Sequence, residues 1–262
     1  MAKSPDHNST SEFKVVEYAV GKQGFQDAAN YDRRRYGGPA SHYKQTVTMN
    51  AVMKLIGPLE GKRILDVGCG TGRGIVKFAQ YATYAVGSDY SLDMLSYARQ
   101  KVGEKSNCTF VRAIAQQLPF PGASFDVVTA LNFLHLFDVG TQRAMIAEMK
   151  RVVRPGGIIV LEFDNALHGL VVGAYKRWFR DERGSFPWEV RQAIGGNCRI
   201  AKQYGAIFPI MWRVMYRFPR LFVPFERIAY SPPFNHLLHR IYCKIITDSP
   251  KVIDAEFVEA AA

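Results

Sequence analysis

Cysteine is scarce in this chain: four occur, at positions 69, 108, 198 and 243, and no two stand in a C-x-x-C pair. That pattern offers neither a disulfide framework nor a thiolate metal cage, so reduced structural thiols are expected. Long apolar runs are also missing, and no stretch approaches the roughly 18 uninterrupted apolar residues of a membrane-spanning helix. Residues 1–12, rich in Ser, Asp, Asn and Thr, lack the apolar segment of a secretory leader. A polar tail and a cytoplasmic location are the expectation. Acids are outnumbered, with 23 Asp and Glu against 34 Lys and Arg and a formal net charge of +11. The deficit is local, because thirteen Lys or Arg face four acids between Asn165 and Lys244. A basic surface of this kind suits an anionic partner.

What the chain does have is one stretch, Arg63 to Gly74, that organises the rest. Ile64, Leu65 and Val67 make a short apolar run suited to a buried strand, and the glycines after it force a tight turn into a helix beginning near Arg73. Glycines at 68, 70 and 72 let backbone N–H groups approach a ligand, and the helix N-terminus behind them favours an anionic group. The dinucleotide fingerprint needs glycines at its first, third and sixth positions, and no register of this loop supplies them. A length of 262 residues fits one large α/β domain with elaborations.

The heptapeptide D-V-G-C-G-T-G, Asp66 to Gly72, resembles motif I of the class I S-adenosylmethionine-dependent methyltransferases. The resemblance covers about Tyr31 to Phe163 and implies an α/β fold with a Rossmann-like, seven-stranded methyltransferase sheet and helical insertions in the C-terminal third. The domain is expected over 13–250, with substrate-side insertions at 165–197 and 205–238 and a C-terminal tail at 251–262. Strands are expected at Tyr84 to Asp89, Cys108 to Ala113, Phe125 to Ala130, Ile158 to Phe163, Cys198 to Tyr204 and Arg240 to Thr247. The expected cofactor is S-adenosylmethionine, held by Asp66, Gly68, Cys69, Gly70 and Gly72 of the loop. Asp89, about 20 positions further on, would meet the ribose hydroxyls, as an acid at this distance does in nucleotide-binding folds. Tyr90 and Met94 would lie against the adenine, although ordinary packing explains them equally well. The resemblance leads one to expect an acid at position 114, where this chain has Ile114. Ala115 or Gln116 must then serve the adenine. Leu131, just past the fourth strand, would border the methionine part. Tyr31, in the segment Tyr31-Asp-Arg-Arg-Arg-Tyr36, would sit on an N-terminal helix closing over it, and a solvated basic turn accounts for the same residues.

Methyl transfer from a sulfonium depends mainly on positioning, so a catalytic base is optional. His135, past the fourth strand at the ligand-binding edge, is the candidate for positioning or deprotonating the acceptor. Enzymes methylating amino groups of nucleic acid or glutamine carry a D/N/S-P-P-aromatic motif after strand four, where this chain has Leu131-Asn-Phe-Leu134. Ser231-Pro-Pro-Phe234 matches those letters far from that strand and reads as a turn. Asp164 resembles a ligand of metal-dependent relatives, but only Asp138 could join it, and no metal is expected. In 205–238, Met211, Val214, Met215 and Phe218 share a helical face opposite Arg213 and Arg217. A lid over a small or lipid-like acceptor and peripheral contact with an anionic membrane are the expectations. A second small core explains the same residues. Nucleic acid is not an expected partner, and the oligomeric state stays open. A cofactor-binding sensor or scaffold without turnover, and an RNA-directed methyltransferase, remain the alternatives.

Overall fold

The computed structural model describes residues 28–37, 39–104, 107–164, 185, 187–195, 199–206 and 240–247. The tails expected at 1–12 and 251–262, most of 165–197, and the amphipathic segment within 207–238 lie outside the described residues.

Two helices, α1 (Ala28–Tyr36) and α2 (Pro39–Ile56), precede the sheet. Val52, Leu55 and Ile56 are buried on α2 at helical spacing. Gly57, at φ 75°, ends the helix and donates its N–H to the Met53 carbonyl at 2.9 Å. This is the left-handed stop that a residue without Cβ makes easily. Next come β1 (Arg63–Val67), α3 (Arg73–Phe78), β2 (Tyr84–Asp89), α4 (Leu92–Val102) and β3 (Cys108–Arg112). Then follow β4 (Phe125–Ala130), a 3-10 turn (Leu134–Leu136), α5 (Val139–Val152) and β5 (Val153–Asp164). The last elements are α6 (Pro187–Ile194), β6 (Arg199–Ala206) and β7 (Arg240–Ile246). Two helix starts carry side-chain caps. Ser91 Oγ accepts from Met94 N at 3.3 Å on α4, and Asp138 accepts from Thr141 N at 3.0 Å on α5.

The seven strands form one sheet in the order β3-β2-β1-β4-β5-β7-β6. The first five run parallel, and β7 is antiparallel to both of its neighbours. Helices follow β1, β2 and β4, while a helix-free connection joins β3 to β4, and alternate strand side chains feed two cores. Leu65, Val128, Ile159 and Cys243 pack with α5, while Ile64, Val127, Val160 and Tyr242 pack with α2, α3 and α4. The strand order reverses about β1, so a crevice opens there beyond the carboxyl ends of the strands.

Three features differ from the sequence reading by more than a single residue. Strand β5 begins at Val153 rather than Ile158. Gly156, at φ 73°, bends the chain so that its N–H reaches the Thr247 carbonyl at 2.6 Å. Strand β6 extends through Gly205 and Ala206, residues expected to open an insertion. Finally, α6 falls within the expected substrate-side insertion 165–197 but packs beside α5. Its Val190, Ala193 and Ile194 are buried in the core, and its Gln192 and Ile194 carbonyls accept from Arg143 at 3.3 Å and Lys150 at 2.5 Å. Apolar burial fixes this helix in the layer behind the sheet. No helix among the described residues is long and apolar enough to cross a membrane.

Candidate functional site

A cavity of about 410 Å³ opens at the carboxyl edge of the sheet, within the size range of small-molecule sites. One end is made of backbone. Cys69 N donates to Ser88 O at 3.0 Å, drawing the glycine loop onto the end of β2. Gly70 N and Ser91 N each donate to Asp89, at 2.9 Å to Oδ2 and 2.9 Å to Oδ1, so both carboxylate oxygens are aimed before any ligand arrives. Burial raises the Asp89 pKa, and the N–H groups of Ser91, Gly70 and Tyr90 oppose the rise. Gly68 has φ 68°, and a Cβ there would run into the Phe133 ring. A side chain on Gly74 would meet Asp66 Oδ2 at 2.6 Å.

Asp66 is buried beneath the loop, where Thr129 Oγ1 donates to its Oδ1 at 2.6 Å. Burial pushes its pKa up to about 7 against the opposing Thr129 bond and the Arg73 charge, while Asp89 and Glu162 add to the rise. Glu162, at the end of β5, is 2% exposed and lines the same cavity. Its Oε2 accepts from Asn132 N at 3.1 Å. Asn132 sits at φ 53°, a left-handed conformation that non-glycine residues seldom adopt. Neither Asn132 nor Glu162 was singled out from the sequence, because the signal is a backbone geometry and not a motif.

Tyr31, Asp66, Gly68, Cys69, Gly70, Asp89, Tyr90, Met94, Ala115, Gln116 and Leu131 all line the cavity. Gln116 lines the cavity, and its Oε1 is buried with no hydrogen-bond partner among the described residues. Such an acceptor is costly to leave unmet and fits a ligand N–H donor. Ile114 forms a bridge with Gln117. Glu148 and Arg151 of α5 hold the segment after it. Leu118 N donates to Glu148 Oε2 at 2.8 Å, and Arg151 donates to the Phe120 and Leu118 carbonyls at 2.8 and 2.9 Å. The Arg112 guanidinium lies 4.8 Å from the centre of the Tyr90 ring, which orients that ring at the cavity rim.

Asp32 was overlooked beside Tyr31. It accepts from Thr71 Oγ1 at 2.6 Å, Arg73 at 2.8 Å and Lys101 at 2.5 Å, joining α1 to the loop, α3 and α4 at once. Burial works against its ionisation, but the Lys101 and Thr71 hydrogen bonds and the Lys101 and Arg73 charges outweigh it and hold the carboxyl below its usual range.

Two assigned residues are not brought to the cavity. Gly72, at φ 74°, faces Ala98, whose Cβ would stand 2.8 Å from an added Cβ, so this glycine serves helix packing. His135 is 5% exposed and is not on the cavity wall. The 3-10 turn repeats every three residues, so Phe133 and Leu136 share the cavity face while Leu134 and His135 turn inward. Asp138 caps α5, and its carboxyl is lowered by the hydroxyl and N–H of Thr141. Among the described residues no group of three His, Cys, Asp or Glu is placed to hold a metal ion.

The comparisons agree with this geometry. A family described as a methyltransferase domain matches residues 64–157. Over 124 residues the chain is 40% identical to a demethylmenaquinone methyltransferase of Deinococcus radiodurans, covering 45% of this chain and 50% of that protein. It is 38% identical over 130 residues to the ubiquinone/menaquinone biosynthesis C-methyltransferase UbiE of Stutzerimonas stutzeri, covering 47% and 50%. The matched region thus spans about half the length of these curated relatives. Among solved structures, the magnesium protoporphyrin IX methyltransferase of Synechocystis, with S-adenosylhomocysteine bound, shares the fold. Its TM-score is 0.61 at 19% identity, covering 90% of this chain and 99% of that one. The glycine loop and the ends of β1, β2 and β3 thus lie within the part of the chain, residues 64–157, that matches a methyltransferase domain.

Proposed function

We propose that the chain transfers a methyl group from S-adenosylmethionine to a small, lipid-like acceptor with a quinone-type ring. The observation that carries this reading is a single cavity with two unlike ends. One is a backbone cradle closed by Asp89, and the other is an apolar chamber walled by Met49, Leu131, Phe133, Leu136 and Phe137. The names of the curated relatives point to the same acceptor class.

The residues fit the cofactor on their own chemistry. Asp89 has lone pairs left beyond its two backbone bonds and would accept from the ribose hydroxyls. The buried Gln116 Oε1 would accept from the adenine amino group. Asp66 and Asp89 give the loop end of the cavity a negative character suited to a ligand carrying positive charge. When bound, S-adenosylmethionine supplies a methyl group on a sulfonium, with a neutral thioether as leaving group. Phe133 and Phe137, edge to face at 5.1 Å, would keep water from the reacting centre. The basic excess between Asn165 and Lys244 supports peripheral contact with an anionic membrane, where a lipid-like acceptor would be met.

The test is incubation of the full chain with isotopically labelled S-adenosylmethionine and reduced, demethylated quinones in anionic vesicles. Labelled quinone and S-adenosylhomocysteine in equal amounts are expected. Cofactor binding without either product, across quinone and water-soluble acceptors, would return the chain to the scaffold reading.

A further inference from the structure

Resting on that reading, we infer that Glu162 is the acceptor-side catalytic carboxylate, taking first the hydrogen bond and then the proton of a hydroxyl group on an aromatic acceptor ring. The argument begins with the strand order. Gln116, Asp89 and the glycine loop mark a path along the ends of β3, β2 and β1. Glu162 lies near the carboxyl end of β5, two strands beyond β1 in the same sheet, at about 10 Å by the usual spacing between strands. A nucleoside lying on the loop and Asp89 leaves that part of the cavity for the second substrate.

The surroundings of Glu162 point the same way. Its side chain is 2% exposed yet lines the cavity, and the nearby wall is apolar at Leu131, Phe133 and Leu136. A carboxyl in such a place requires polar partners. The Asn132 N–H provides one at 3.1 Å, from a residue held in a left-handed conformation. That bond fixes the carboxylate, whose two oxygens offer about four acceptor sites in all. The other ionisable groups nearby are committed elsewhere. Asp66 is tied to Thr129 beneath the loop, Asp89 is aimed by Gly70 and Ser91, and His135 is off the wall. Cys69 is buried, which drives its thiol pKa upward and disfavours the thiolate.

The step balances. As the ring carbon ortho to the hydroxyl forms its bond to the methyl carbon, the sulfur–methyl bond breaks and leaves its electron pair on sulfur. The hydroxyl proton passes to Glu162, so charge does not accumulate on the ring. Glu162 then returns the proton to the ring oxygen while the displaced ring hydrogen leaves to water as a proton. One proton is released per methyl transferred.

Glu162→Gln separates this role from a structural one, because the amide oxygen can still accept from Asn132 N–H. Loss of the base should lower kcat about 10²–10³-fold. It should also leave cofactor Kd within about threefold and allow partial recovery in Glu162→Asp. A kcat within threefold of the parent overturns the proposal. So does a tenfold rise in cofactor Kd with kcat unchanged, which would place Glu162 against the cofactor. A binding arm needs no turnover. With S-adenosylhomocysteine present, 1-naphthol should bind the parent about tenfold more tightly than 1-methoxynaphthalene, and Glu162→Gln should erase the difference. Equal binding of the two probes by the parent overturns the role of Glu162 whether or not the chain methylates quinones.

Discussion

Along the carboxyl edge of the sheet, the β1–β2 end of the cavity and the β4–β5 end meet a ligand with different parts of the chain. At the first end the contacts are backbone N–H groups, glycines whose missing Cβ atoms leave room, and one carboxylate aimed by two amides. At the second end they are side chains, Phe133, Leu136, Phe137 and Glu162, presented by a 3-10 turn and a strained asparagine. A surface made of backbone can serve one ligand across many sequences, because only glycine positions and one acid need be kept. A surface made of side chains can be altered residue by residue. The first end therefore suits a fixed cofactor and the second a particular acceptor.

The most severe way to break the contrast is Asp89→Ala, which removes the one side chain on which the backbone end relies. The expected loss is about 1.5–3 kcal/mol, roughly 10–150-fold in S-adenosylmethionine affinity, measured by calorimetry. Normal binding by that variant would show that the loop alone suffices. Gly72→Ala probes the same end from behind. With φ 74° and Ala98 against it, the change should lower unfolding free energy by about 1–3 kcal/mol while leaving cofactor affinity within twofold in the folded fraction. A selective loss of affinity would restore Gly72 to the cradle.

Titration sharpens the comparison, because Asp66 lies under the loop with its pKa raised to about 7. A carboxyl raised in the folded state contributes stability that is present below its ordinary 3.8 and lost as pH rises toward 7. A cationic cofactor offsets that loss by favouring the ionised form. Affinity should thus rise between pH 6 and 8 by up to about tenfold, with proton release on binding near neutral pH. Calorimetry in buffers of different ionisation enthalpy reads the protons directly, and a flat profile would detach Asp66 from the cofactor. The smallest effect is expected for Gln116→Leu. One hydrogen bond of about 0.5–1.5 kcal/mol is lost, or roughly 2–12-fold in affinity, as measured by calorimetry. An unchanged dissociation constant would move the adenine amino group to the backbone.

The same contrast explains what could be read from residues alone. The loop was legible because a buried strand followed by glycines has a distinctive spacing, and Asp89 because chain distance fixes where β2 ends. The first five strands followed from apolar runs read together with the resemblance to the methyltransferase family. The acceptor end was not legible in this way. His135 looked suitable by position after β4, but which of Phe133 to Phe137 face the cavity depends on the three-residue repeat of a short 3-10 turn. Glu162 was hidden as a letter inside an apolar strand, and its importance rests on a partner thirty residues away in sequence. Asp32 was missed because its three partners come from three different elements. The β5 start was misplaced because a Pro-Gly-Gly segment that ordinarily signals a turn is taken into the strand as an irregularity, with Gly156 bending the chain at φ 73°.

The Glu148–Arg151 clamp gives the Gln116 side of the cavity a property that its sequence neighbours do not suggest. Ala115 and Gln116 lie on a connection between β3 and β4, outside any strand ladder, yet the backbone just beyond them is anchored at Leu118 and Phe120 by a helix. The conformational entropy of that loop is therefore lost when α5 docks during folding, before any ligand arrives. The wall opens only together with the helix, as one cooperative unit. A ligand entering this end meets a preorganised surface, and more of its interaction free energy appears as affinity.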